Sequence, residues 1–180
     1  MVTIAALVGS SRKGSFNVSL FETLKTLAPE GVTFVRPDLD VLPLYNADIE
    51  KEGLPPSVVT LKEIIKNADG VIFITPEYNR SLPPLLTNAL AWASRPDNDN
   101  AWKGKIVASM GATNGSLGTA PGQQHLKQML AYLDTMIMGQ PEFYLGTVKE
   151  KIGADGLIAD EKTRERIVRF LNAFLVRIKK

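Results

Sequence analysis

The sequence of 180 residues contains no cysteine and a single histidine, His125. Without cysteine there is no disulfide, no thiolate nucleophile, no CxxC redox pair and no thiolate-held zinc or iron–sulfur cluster. One histidine cannot build the two- or three-histidine sites of most catalytic zinc and non-haem iron enzymes. Any redox chemistry therefore needs a borrowed cofactor. An excess of one charge is also missing. Lys plus Arg number 21 and Asp plus Glu 19, a net charge of +2, too little to argue for nucleic acid or an anionic membrane. No apolar run approaches the ~18 residues of a membrane span. Residues 1–8 are apolar without a preceding basic residue, and Arg12 and Lys13 follow, the reverse of a secretory signal. The expectation is one cytoplasmic domain, residues 1–180, with neither a nucleic-acid nor a membrane partner.

What is present is an alternation of short β-branched runs and longer amphipathic ones. Residues 2–8, 32–35, 70–75, 106–110 and 135–138 read as strands, the first and third apolar enough to be buried on both faces. Between them, Leu20, Phe21, Leu24 and Leu27 recur at helical spacing, as do Leu61, Ile64 and Ile65, and Leu85, Leu86, Leu90 and Trp92. Residues 123–133 form a fourth helical pattern. The last helix is capped by Asp160 and carries Ile167, Phe170, Leu171, Phe174, Leu175 and Ile178 as an apolar stripe. Residues 37–56 hold four prolines and little periodicity, and read as a long loop. Five strands alternating with five helices predict an α/β three-layer fold, flavodoxin-like, with a five-stranded parallel sheet of order 2-1-3-4-5 and helices on both faces. Such sheets bind ligands outside the carboxyl ends of their strands, near the switch in strand order.

That rule selects the loops after the first, third and fourth strands. The first, GSSRKGSFN, joins a strand to a helix and supplies Ser10, Arg12, Ser15 and Asn17, with Gly9 and Gly14 for tight turning. Hydroxyls, a guanidinium and the free amides of a helix start suit a phosphate. A Walker loop would need Lys where Ser15 stands. The dinucleotide pattern GxGxxG is absent, so a monoester phosphate such as that of FMN is the better match. The second loop, Thr75-Pro76-Glu77-Tyr78-Asn79, could lie against a flat ring system and read its polar edge. The third, residues 111–122, carries four glycines that would let backbone amides approach a ligand. It lacks the first glycine of a GxSxG elbow. His125 lies within a helix next to Leu126, which favours a structural imidazole over a hydrolytic base. Glu77 is the only acid in the three loops, so paired-carboxylate chemistry is not expected.

Together the three loops resemble the NADPH-dependent FMN reductase family, in its bacterial quinone and chromate reductase branch. GSSRKGSFN is similar to that family's GSxRxxSxN phosphate loop, and TPEYN to its flavin-edge motif. LPLYNAD (42–48), WASR (92–95) and HLKQML (125–130) resemble further family segments in order. The resemblance implies FMN as cofactor and NADPH or NADH as reductant. Acceptors would be small molecules such as quinones, chromate and azo compounds, reduced with ping-pong two-electron kinetics. It implies that Ser10, Arg12, Ser15, Phe16 and Asn17 hold the FMN phosphate, that Pro76, Glu77, Tyr78 and Asn79 line the isoalloxazine, and that the backbone around Gly115, Gly118 and Thr119 approaches the ribityl chain or ring. No catalytic side chain and no metal are implied. It further implies a homodimer or homotetramer, with residues 42–48 and the Trp92 helix at the interface. The sequence departs from the family pattern at Pro84, Thr87 and Ala91, which stand where Gly, Lys and Asp are usual, and at Arg80, where an aromatic or small residue is common. Arg80 is expected to attract the phosphates of NADPH or an anionic acceptor. The competing reading is a flavodoxin-like electron carrier without its own turnover. Such carriers are usually strongly acidic, unlike this chain.

Overall fold

The computed structural model describes residues 1–179. Its parallel sheet is built from β1 (Val2–Val8), β2 (Val32–Val35), β3 (Gly70–Ile74), β4 (Ile106–Ala112), β5 (Met136–Ile137) and β6 (Phe143–Leu145). The order is β2-β1-β3-β4-β5, with β6 also pairing with β4, the expected flavodoxin-like arrangement. The switch in strand order falls between β1 and β3, where Ala5 pairs with Val71 and Leu7 with Phe73. Alternation along β1 and β3 sends residues to opposite faces. Ala5, Leu7, Val71 and Phe73 enter the core under α3 (Pro56–Asn67), α4 (Pro84–Ala93) and α5 (Ala120–Tyr132). Ile4, Ala6, Val8, Ile72 and Ile74 enter the core under α1 (Phe16–Thr26) and α6 (Glu161–Ile178). Trp92, Trp102, Phe73 and Phe174 are among the largest fully buried side chains. Each contributes about 1.5–3 kcal/mol by leaving water.

Caps and breakers set the helix limits. Asp160 accepts the Thr163 amide at 3.0 Å and starts α6, as the sequence predicts. Pro84 occupies the first turn of α4, where its missing N–H leaves no bond unmade. That departure from the family pattern is thus compatible with the helix.

Two expectations need correction. Residues 37–56 are not wholly loop, because α2 (Ala47–Glu52) forms there, capped by the Asn46 side chain on the Asp48 amide at 2.8 Å. None of its residues is buried, so it carries no apolar stripe to read. The fifth strand is also shorter than 135–138 and is split. Met136 and Ile137 pair with Ile106 and Val107, whereas Phe143 to Leu145 pair with Met110 to Ala112. Residues 139–142 (GQPE) interrupt the edge, and Pro141 has no N–H for the ladder. β6 was too short, after such an interruption, to be read from its pattern.

Buried Lys62 ties α3 to the segment after α4. Its ammonium donates to the carbonyls of Arg95 and Asp99 and pairs with the Asp99 carboxylate at 2.9 Å. Lys66 and Lys62 hold the Asp99 carboxyl below its ordinary pKa. Lys127 and Tyr144 do the same for Glu142. A carboxyl depressed on folding stabilises the fold above its unfolded pKa of about 4, and that stabilisation is lost as pH falls through the folded value. Thermal unfolding is therefore expected to be flat from pH 7 to 5 and to fall steeply below about pH 4. Asp99→Asn should lower the pH 7 midpoint and make the acid decline shallower. An unchanged slope would show that this ion pair is not part of the acid response.

Candidate functional site

The three loops meet above the carboxyl ends of β1, β3 and β4. In the first, Ser15 caps α1, its hydroxyl accepting the Val18 amide at 3.4 Å and its own amide donating to Arg12 O at 3.1 Å. Gly14 turns the loop with φ +67°, and a Cβ there would meet only the Arg12 guanidinium, at 3.8 Å. Arg12 is exposed but oriented: its guanidinium lies 5.5 Å from the Phe16 ring centroid and donates to Lys13 O at 3.0 Å. The amides of Phe16 and Asn17 make no hydrogen bond within the described residues, as expected of a helix start. Ser10 and Ser15 are nearly buried beside them.

Asn17 does something the sequence did not disclose. Its side chain is buried and spans to the end of β4, donating to Ala112 O at 3.0 Å and accepting the Ala112 amide at 2.9 Å. It locks the first loop to the base of the third. In this structure its side chain is a strut, and the part of Asn17 open to an anion is its backbone N–H.

The second loop is a tight hairpin turn. Tyr78 and Ser81 exchange backbone hydrogen bonds of 3.0 and 2.8 Å. Asn79 and Arg80 between them are left-handed, at φ 51° and 64°. This is the geometry of a primed turn, unfavourable for Arg and tolerable for Asn. Glu77 does not project into open space. Its carboxylate accepts the Gly122 amide in the first turn of α5 at 3.0 Å and lies 3.5 Å from the Arg80 guanidinium. A negative charge at a helix start is favourable, so Glu77 fastens the second loop to the third. Tyr78 is half exposed, and the amides of Glu77 and Asn79 make no internal hydrogen bond.

The third loop divides in two. Gly115 is exposed, and a Cβ on it would meet only Thr113 at 4.0 Å. Gly118, at φ +61°, packs on β6, where a Cβ would fall 2.7 Å from Leu145 N and Tyr144 C. Thr119 is fully buried and left-handed, at φ 71°. Its hydroxyl accepts from Gln123 Nε2 at 3.0 Å, and the same amide reaches Phe143 O at 3.0 Å while Ser109 donates to Gln123 Oε1 at 2.9 Å. The Thr119 hydroxyl therefore points into the fold, and of Gly115, Gly118 and Thr119 it is Gly115 that is exposed, its amide donating to Thr113 Oγ1 at 3.4 Å. Gln123 had no motif to flag it, since a polar residue on a helix face is usually solvated. Nearby, burial and the Glu142 carboxylate push the Tyr144 hydroxyl up to about 12. His125 is exposed on the outer face of α5, with Nδ1 3.1 Å from Ser81 Oγ.

Between the first and second loops lies a cavity of about 300 Å³ whose lining includes Gly9, Ser10, Arg12, Tyr78, Pro83 and Leu85. Gly9 is needed there because a Cβ would fall 2.8–2.9 Å from Leu86 and Pro83. Hydroxyls and one guanidinium on one side (Ser10, Ser11, Arg12) and the Tyr78 ring on the other fit a phosphate monoester joined to a flat polar ring, as in FMN; Ser15, Phe16, Asn17, Pro76, Glu77 and Asn79 do not line this cavity. Among the described residues no cluster of three or more His, Cys, Asp or Glu side chains could hold a metal ion. No helix among them is long and apolar enough to cross a membrane.

Comparison with known proteins agrees with this geometry. The pattern of the NADPH-dependent FMN reductase family matches residues 2–150. A 2-hydroxy-1,4-benzoquinone reductase from Burkholderia sp is 43% identical over 171 residues, covering 95% of this chain and 93% of that protein. A quinone reductase from Escherichia coli (strain K12) is 41% identical over 175 residues, covering 95% and 92%. Among solved structures, FerB, a flavoenzyme NAD(P)H:(acceptor) oxidoreductase from Paracoccus denitrificans, superposes with a TM-score of 0.93 at 41% identity, over 99% of this chain and 98% of that one.

Proposed function

Since the chain belongs to the NADPH-dependent FMN reductase family, we propose that it is a cytoplasmic oxidoreductase that uses bound FMN and NAD(P)H to reduce quinones, with chromate and azo compounds as further acceptors. The observation that supports this reading is that Ser10, Ser11 and Arg12 of the first loop and Tyr78 of the hairpin line one cavity. When bound at these residues, FMN would supply the two-electron redox chemistry, with NAD(P)H as reductant and ping-pong kinetics expected.

The chain's own residues bind and orient. Ser10, Ser15, Arg12 and the amides of Phe16 and Asn17 would hold the phosphate. Pro76 and Tyr78 would support the ring, with the Glu77 and Asn79 amides as donors to its polar edge. Glu77 and Asn17 would keep these two surfaces in register through Gly122 and Ala112. The Gly115 backbone would close the third side. Fixed donors of this kind need no reorganisation during the reaction. Given FMN, the purified protein should retain it in about a one-to-one ratio and oxidise NADPH or NADH with a soluble quinone, giving parallel double-reciprocal plots. A protein that retains no FMN, or retains it without turnover, would overturn the enzyme reading.

Arg80 is 67% exposed at the mouth. Arg80→Gly removes the charge and also relieves the left-handed strain. It should raise KM for NADPH and for an anionic acceptor about fivefold with little change in kcat or melting temperature, the signature of lost uniform binding. Equal KM values in the variant would dismiss Arg80 as an anion-steering group.

A homodimer or homotetramer accords with the surface. Trp92 Nε1 and Asn88 Nδ2 both donate to Pro43 O, at 2.7 and 2.9 Å. They fix a loop that leaves Val41 and Leu44 58% and 79% exposed. Such large exposed apolar side chains beside one helix suit an interface.

A further inference from the structure

Ser10 and Ser11 also line a second cavity, on the side of β2. It has a volume of about 270 Å³, and its walls include Ser10, Ser11, Arg36, Asp38, Asp40 and Leu85. Ser10, Ser11 and Leu85 line the FMN-side cavity as well, so the two share a wall and open side by side.

Its charged side chains are exposed and form no ion pair with one another among the described residues. Arg36 follows the last residue of β2, and its guanidinium stacks 5.8 Å from the Phe21 ring centroid. Among the described residues it forms no ion pair and donates no hydrogen bond. Asp38 is engaged, its Oδ1 accepting the Asp40 amide at 3.0 Å. The Asp40 carboxylate has no partner among the described residues. The cavity thus presents a free cation and a free hydrogen-bond acceptor, with Leu39 and Leu85 supplying an apolar wall. A ligand matching all three carries an anionic phosphate, donor hydroxyls and a flat apolar body. A ribonucleotide has that chemistry. A carboxylate accepts hydrogen bonds from a ribose diol and repels a 2′-phosphate, and an arginine suits a phosphate.

We propose that this cavity receives the adenylate half of the nicotinamide nucleotide, with Arg36 taking its phosphate and Asp40 its ribose hydroxyls. This rests on the reading of NAD(P)H as reductant. It adds that Asp40 restrains the use of the 2′-phosphorylated form.

The test titrates the purified holoenzyme with ADP-ribose and with 2′-phospho-ADP-ribose by calorimetry, so that binding is read without turnover. Arg36→Ala should weaken ADP-ribose about tenfold, with FMN content and quinone KM unchanged. Asp40→Asn should tighten 2′-phospho-ADP-ribose relative to ADP-ribose about tenfold, and should shift the NADPH-to-NADH ratio of kcat/KM in the same direction. Melting temperatures confirm that both variants fold. The subsite is overturned if active, FMN-loaded protein does not bind ADP-ribose, or if either variant binds both probes as the parent does. A protein that binds ADP-ribose in an Arg36-dependent way but never oxidises NADH or NADPH would keep the subsite and remove the reductase reading.

Discussion

Gly111→Ala is expected to lower the melting temperature by about 10 °C and to abolish FMN retention. Gly111 lies in β4, where an added Cβ would sit 2.1 Å from Thr119 Oγ1 and 2.3 Å from the Thr75 carbonyl oxygen. The second of these is backbone and cannot rotate away. The Thr75 amide donates to Met110 O at 2.9 Å, so moving the carbonyl opens β3 from β4 at their carboxyl ends. The Thr119 hydroxyl is held by Gln123, so displacing it breaks a buried polar network that also serves Ser109 and Phe143. Overpacking costs about 1–3 kcal/mol or more, and an unsatisfied buried polar group adds about 1–3 kcal/mol. For a chain of this size about 1 kcal/mol moves the melting temperature by 2–4 °C. Gly115→Ala is the control from the same loop. Its Cβ would meet only Thr113 at 4.0 Å, and its stability should stay within about 0.5 kcal/mol of the parent. Differential scanning calorimetry of the two variants side by side decides the matter. Equal midpoints would show that the Gly111 contact is not as tight as the geometry states.

Asn17→Ala is the second large effect, and it separates a strut from a ligand. The substitution strands Ala112 N and O together, both bonded to Asn17 at 2.9–3.0 Å in a buried setting. The expected loss is about 2–6 kcal/mol, at about 1–3 kcal/mol for each of the two buried groups left unsatisfied. Asn17→Asp should not restore it, because a carboxylate accepts from Ala112 N but opposes Ala112 O. Urea unfolding of the protein stripped of flavin is the discriminating measurement. A strut makes the variant less stable without FMN. A residue that serves only as a ligand would leave flavin-free stability untouched.

Much of this architecture is legible in one dimension. The β1 and β3 runs are apolar without interruption because both faces are covered, and the α6 stripe repeats at helical spacing because one face is covered. Those patterns predict the sheet order and the three loops that matter. The boundaries that fail are those without such a pattern. Exposed α2 has no buried residue, and β6 has three residues after a Pro-containing break. In the candidate site, the hydroxyls and turn glycines of the first loop stand out in the sequence because an anion cradle has a composition. The inward turn of Glu77, Thr119 and Asn17 is not, because a polar side chain in a loop reads alike whether it meets a ligand or another loop.

By itself, then, the sequence determines the class of chemistry and its place. No thiol and one imidazole leave the redox work to a cofactor, and the loops able to hold one follow β1, β3 and β4. Local composition suffices there, because helix starts, glycine turns and strand ends are local objects. Tertiary structure alone decides which polar groups remain for a ligand. Ala112 claims Asn17 from 95 residues away, Gly122 claims Glu77 from 45 away, and Gln123 is shared among Ser109, Thr119 and Phe143. Burial makes each of these pairings obligatory. Only the folded chain shows that Arg36 and Asp40 line one cavity with no ion-pair partner among the described residues, because that depends on which groups the fold leaves unspent.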